Sequence, residues 1–113
     1  MQRDPRKFLY DIQEACRLII EFSEGKSLCD YQEDKLLRSG IERQFMIVGE
    51  ALMQALKAEP SLATRIPESR NIVGFRHLLV HGYAVVKPDV VWGILQNDVP
   101  PLLGQVEQLL VEM

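Results

Sequence analysis

Apolar side chains recur along this chain every three or four residues, and that spacing predicts helices almost throughout. Phe8, Ile12, Ala15, Ile19 and Phe22 fall on one helical face. Asp4-Pro5 supplies a start, a side-chain acceptor followed by proline at the first helical position, and Gly25 supplies a stop. A second run, Ile41, Phe45, Val48, Leu52 and Ala55, predicts one long helix from near Asp30 to about Glu59. Asp30 and Glu33 form its expected capping box, and Pro60 follows its end. Gly40 and Gly49 lie inside it, each costing about 1 kcal/mol against alanine, so a kink or a close helix contact is expected there.

Residues 60–67, PSLATRIP, read as a loop. A third helix is expected from about Glu68 to His81, with Ile72, Phe75 and Leu79 on its buried face and Gly82 as its stop. Pro88 opens a fourth helix through about Asn97, carrying Val91, Trp92 and Leu95. Asp98 is placed to cap a fifth, which holds Pro100 and Pro101 in its first turn and is lined by Leu103, Val106 and Leu110. Nothing alternates with period two for long, and YAVV at 83–86 is too short for a strand. The expected fold is all-α, an antiparallel bundle of four to five helices in one domain spanning 1–113.

Size and composition agree with that picture. A chain of 113 residues fits one domain and buries over ~60% of the surface that it exposes when unfolded. No apolar run approaches the ~18–20 residues that span a bilayer, so no membrane association is expected. The first residues, MQRDPRKFLYDIQ, lack the features of a signal peptide, which points to the cytoplasm. Cys16 and Cys29 have no metal-ligand or redox spacing and read as small buried hydrophobes. Net charge is −3, which argues against a general nucleic-acid coat. The segment from Arg65 to Lys87 nonetheless carries four cations (Arg65, Arg70, Arg76, Lys87) against Glu68 alone.

That basic segment contains the chain's unusual chemistry, GFRHLLVHGYAVV from Gly74 to Val86. His77 and His81 are four apart, about 40° around a helix, and so share a face. Arg76 and His81 are five apart, about 140°, but can still converge, because His81 sits in the last turn before Gly82 and the long arginine can wrap across that gap. Tyr83 lies just beyond Gly82, where its ring could fold back over His81. A His-x3-His pair on one face can hold zinc, but LLV lies between these histidines and the glutamate of HExxH is missing. A second reading is acid–base chemistry on a phosphodiester. Histidine moves protons near neutral pH, arginine offers a fork of donors to phosphate, and the negative end of a helix dipole suits a general acid. A third makes both histidines structural and pairs Arg76 with a carboxylate on a neighbouring helix.

Arg76, His77, three apolar residues and His81 match the Arg-x4-His motif of HEPN domains, and Tyr83 extends it to Arg-x4-His-x-Tyr, which resembles the HepT-type toxin branch. IERQFMIVGEAL (Ile41 to Leu52) looks like that family's second-helix signature, and VVWGILQNDVPPLLGQVEQLL (Val90 to Leu110) resembles its C-terminal helices. The resemblance implies a homodimeric, metal-independent endoribonuclease toxin that needs no cofactor and takes RNA rather than DNA. Arg76 would hold the scissile phosphate and His81 would move the proton. His77 would support the site in a slot more often filled by asparagine, and Arg43 and Glu50 would help to shape the cleft. Glu42 is expected to face solvent. The resemblance also implies a nucleotidyltransferase antitoxin of the MntA type that attaches AMP to Tyr83. The alternative within the same family is a catalytically weak protein that binds such a nucleotidyltransferase; a helical dimer with a structural role is a third.

Overall fold

In the computed structural model, residues 4–113 are described, Tyr83 by its backbone alone. Seven α-helices account for them: α1 (Pro5–Ser23), α2 (Leu28–Glu33), α3 (Lys35–Ala58), α4 (Leu62–Arg65), α5 (Ser69–His81), α6 (Pro88–Asn97) and α7 (Val99–Glu112). A single 3-10 turn, Tyr83–Val85, follows α5, and no strand occurs among the described residues.

The first helix starts as its sequence dictates. The Asp4 side chain accepts from the Arg6 N–H at 2.9 Å and Pro5 takes the first helical position. Gly25, at φ 72, provides the left-handed residue past its end. Phe8, Leu9, Ile12, Ala15, Cys16 and Ile19 are buried, a stripe wide enough to serve two neighbours, α3 and α7. Phe22 is more than a third exposed, at the end of the stripe, with its ring beside Gly40 of α3. At the other end of α1, Phe8 and Asp11 face Glu50 and Gln54, so α1 and α3 run antiparallel.

The expected single helix from Asp30 to Glu59 is two. Ser27, not Asp30, starts the first piece: its hydroxyl accepts from Asp30 N–H at 3.1 Å, and the Asp30 carboxylate returns the bond to Ser27 N–H at 2.9 Å. Asp34 then ends α2 and caps α3, accepting from Leu37 N–H at 3.1 Å. Arg38 ties the break by donating to the Gln32 carbonyl. Ile41, Phe45, Val48, Leu52 and Ala55 are buried along α3 as expected. The segment expected as a loop at 60–67 holds one helical turn, α4, anchored by buried Leu62.

Helix α5 packs on α3, α7 on α1, α6 on α7, and α2 reaches α6 through Tyr31 and Trp92, whose rings are 5.5 Å apart. Asp98 stands at the start of α7 but makes no capping bond. The reason is local: the two N–H groups that it would accept from belong to Pro100 and Pro101, which have none. Burial, then the nearby Glu68, pushes the Asp98 carboxyl above the usual carboxylate range. The buried face of α7 is Val99, Leu102, Val106 and Leu109, while Leu103 and Leu110 are half-buried beside it. Ion pairs fasten α7 at two points, Arg17 to Glu107 at 3.4 Å and a two-bonded fork from Arg65 to Glu112 at 2.7 and 2.6 Å. The bundle measures 43 × 28 × 21 Å, and its length is close to the ~36 Å that a helix of 24 residues spans. No helix among the described residues is long and apolar enough to cross a membrane.

The two cysteines differ. Cys16 is fully buried, and burial alone pushes its thiol up to about 12. Cys29, expected inside, is exposed because Tyr31 takes the buried side of the short α2; its thiol lies 3.7 Å from Glu33, whose charge raises it. Glu42 is half-buried rather than solvent-facing, and burial raises its carboxyl.

Candidate active site

Helix α5 sets Ile72, Phe75 and Leu79 into the core. Phe75 meets Phe45 of α3 edge-on, with ring centroids 5.2 Å apart at 85°. The next residue, Arg76, therefore leaves α5 at the margin of this contact and runs along α3. Gly49 makes that path possible. A Cβ at position 49 would stand 2.1 Å from Arg76 Cβ and 2.6 Å from Cγ, so the arginine stem occupies the space that any side chain there would fill. Of the kink and the close contact expected at this glycine, the close contact is what occurs.

The guanidinium ends beside Glu50, one residue further along α3, with Nη2 3.2 Å from Oε2. The other carboxylate oxygen of Glu50 accepts from Gln54 Nε2 at 3.2 Å. The Arg76 side chain is 26% exposed, and its Nε is buried with no partner. These groups border a groove of ≈ 370 Å³. Arg43, Glu50, Gln54 and Asp11 supply its polar rim with Arg76, and Phe8, Met46, Ile47 and Val80 its apolar wall. Arg43 and Glu50, seven apart on α3, thus face the same space. Gln54 and Asp11 escaped the reading of the sequence. Glu50 and Gln54 are four apart, a helix-pair spacing that could have flagged Gln54; Asp11 sits on a different helix and gave no local signal.

The histidines occupy another side of α5. His77 and His81 are both exposed, and their ring centroids lie 4.5 Å apart at 47°. His81 ends the helix, and the Gly82 N–H closes it on the Leu78 carbonyl at 2.7 Å. Among the described residues no hydrogen bond or ion pair joins Arg76 to His81. The 140° between them persists because Gly49 and Glu50 hold the arginine against α3. Tyr83 begins the 3-10 turn directly after Gly82; the expected packing of its ring over His81 lies outside the described residues.

The fold also redistributes charge. Arg65 is paired with Glu112 and Arg76 with Glu50, so two acids from distant parts of the chain join Glu68 beside the four cations of the basic segment. An apparent local +3 becomes +1, and Arg70 and Lys87 are the two cations of the set with no ion pair among the described residues.

The family model described as Ribonuclease HepT-like matches residues 12–109, which include both faces of α5. A protein named "Probable ribonuclease HepT" from Thermococcus cleftensis is 33% identical over 96% of this chain and 98% of its own. Proteins named "Putative RNase" from Methanocaldococcus jannaschii and Caldanaerobacter subterraneus are each 30% identical, over 94% and 96% of this chain and 96% of their own lengths. No solved structure matches. With a family match across nearly the whole chain and full-length relatives at this identity, the chain belongs to the HepT-like ribonuclease family.

Proposed function

We propose that this protein is the toxin of a toxin–antitoxin pair, a single-domain endoribonuclease that cuts RNA with Arg76 and His81. The observation that carries this reading is the division of α5, in a chain of a ribonuclease family: one side sets a guanidinium into a groove, and another presents two imidazoles in the last turns. A guanidinium neutralises charge that develops on a phosphate in the transition state. An imidazole can take the proton of a ribose 2′-hydroxyl or return one to the leaving oxygen. His77, whose ring lies tilted 4.5 Å from that of His81, supports its orientation. Arg43 and Glu50 shape the groove beside the phosphate. Since side chains supply the proton transfer and the charge, cleavage proceeds in EDTA.

Arg76 and His81 stand on different sides of one helix, and a homodimer would complete the site. Gly74, His77, Leu78 and His81 form an exposed stripe at helical spacing, a surface on which a second copy can lie about a two-fold axis. Two copies would also double the local positive charge along one groove.

The partner in this reading is a nucleotidyltransferase antitoxin that transfers AMP to Tyr83. Tyr83 is two residues beyond His81, so each AMP would place a phosphate and a base beside the histidine pair and compete with RNA for the cleft. Intact mass after incubation with the antitoxin and ATP tests this step: AMP increments in wild type and none in Tyr83→Phe support it, and increments undiminished in Tyr83→Phe defeat it. A second reading, a catalytically weak protein that binds the nucleotidyltransferase, is favoured by one observation: the Arg76 guanidinium already has a carboxylate partner in Glu50. Binding of the nucleotidyltransferase that survives loss of Arg76 and His81, with no RNA cleavage by wild type, would select it.

A further inference from the structure

We propose that Gln54 keeps Glu50 from closing on Arg76 with both carboxylate oxygens, and so leaves the guanidinium free to take a phosphate. The proposal rests on the reading that Arg76 holds the scissile phosphate, and it makes Gln54 a positioning residue, acting through Glu50.

Three observations meet here. A carboxylate beside a guanidinium frequently forms two parallel bonds. Here the closest approach of Glu50 to Arg76 is Oε2 to Nη2 at 3.2 Å, and neither oxygen accepts from Nε. The second oxygen, Oε1, is engaged by Gln54 Nε2, also at 3.2 Å. The donor that a two-bonded carboxylate would satisfy, Arg76 Nε, is buried and has no partner. An orphaned buried donor is costly, and rare enough to require a cause. The cause lies on α3: Gln54, one turn beyond Glu50, holds the carboxylate back by the oxygen that Nε would use. Gly49 supplies the complementary constraint, since the arginine stem lies directly on the α3 backbone. The guanidinium is held in place and incompletely neutralised at the edge of the groove, so it is positioned and still able to attract an anion.

The sign of the effect follows. Without the Gln54 amide, the Glu50 carboxylate is released, closes on Nε and Nη2 together, and competes with phosphate. Without the Glu50 carboxylate there is nothing to release, and Gln54 loses its influence.

The test uses inorganic phosphate and the Nε–H resonance of Arg76 in nitrogen-15-labelled full-length protein, assigned by its loss in Arg76→Lys. Gln54→Ala is expected to raise the apparent Kd for phosphate roughly three- to tenfold. Gln54→Met keeps the length and packing of the side chain, removes the amide, and is expected to do the same. In Glu50→Gln the further change Gln54→Met is expected to leave the Kd within about twofold of Glu50→Gln alone. Equal Kd values for wild type and Gln54→Met would overturn the proposal while leaving Arg76 as the phosphate ligand. So would a weakening by Gln54→Met that is as large in the Glu50→Gln background. A wild-type Arg76 signal indifferent to phosphate would overturn both the proposal and the reading beneath it, whatever the RNA cleavage assay shows.

Discussion

At the scale of single residues, the site turns on Gly49 and on the last turn of α5. Gly49→Ala would press a methyl into Arg76 Cβ and Cγ, and neither α3 nor α5 can retreat without uncoupling Phe45 from Phe75. Overpacking of this kind costs typically ~1–3 kcal/mol, so urea denaturation should show a lower midpoint with an unchanged slope. Cleavage should fall further than stability, because the displaced group is the arginine. His81→Ala should behave in the opposite way. The ring is exposed, so stability should stay within about 0.5 kcal/mol of wild type, while RNA cleavage falls about a hundredfold or more if His81 moves the proton. An unfolding midpoint that drops while cleavage persists would make His81 structural. The angular separation of Arg76 and His81 was legible from their spacing; that Arg76 would stay on its own side was not. That outcome depends on Gly49 and Glu50, some 27 residues upstream on another helix.

At the scale of elements, boundaries marked by proline and glycine were readable. Pro5, Pro88 and the left-handed Gly25 each act through a backbone constraint that no tertiary contact overrides. The break between α2 and α3 was not, because Ser27, Asp30, Glu33 and Asp34 offer overlapping capping patterns, of which the chain uses Ser27 with Asp30 and then Asp34. The face of α7 was misjudged for a related reason. Val99, Leu102, Leu103, Val106, Leu109 and Leu110 cover so much of the helix that periodicity alone leaves the stripe undetermined. Asp34→Ala removes the cap that separates the two helices and should cost about 1 kcal/mol in a denaturant melt. A melt that matches wild type would show that Arg38 and the core hold the break without it.

The end of α7 is fastened by charge. Hydrogen bonds from Arg65, then Gln108, hold the Glu112 carboxyl at about 2. A folded-state value below the unfolded one contributes stability that is present above ~4.5 and lost as pH falls toward 2. Both side chains are well exposed, so the effect is small. Arg65→Ala should therefore narrow the difference in stability between pH 5 and pH 2.5, compared with wild type, and leave RNA cleavage at neutral pH unchanged.

At the scale of the whole molecule, composition and periodicity were enough for an all-α bundle, because 47% apolar residues at helical spacing can bury a core in few other ways. Charge was less legible. The basic segment reads as +3 along the chain and +1 once Glu50 and Glu112 are folded against it. A single copy thus offers RNA little positive potential, and the proposed dimer carries more of the burden of binding. Sedimentation at micromolar concentration should give a dimer, and a monomer that still cuts RNA would remove the second copy from the mechanism.

The most direct test of the central claim is cleavage of end-labelled total RNA by AMP-free wild-type protein in EDTA, with His81→Ala and Arg76→Ala alongside. The account predicts discrete cleavage by wild type and a loss of about a hundredfold or more in each variant. Cleavage that persists in both variants, or its absence in a folded wild-type dimer shown by intact mass to carry no AMP, would contradict it.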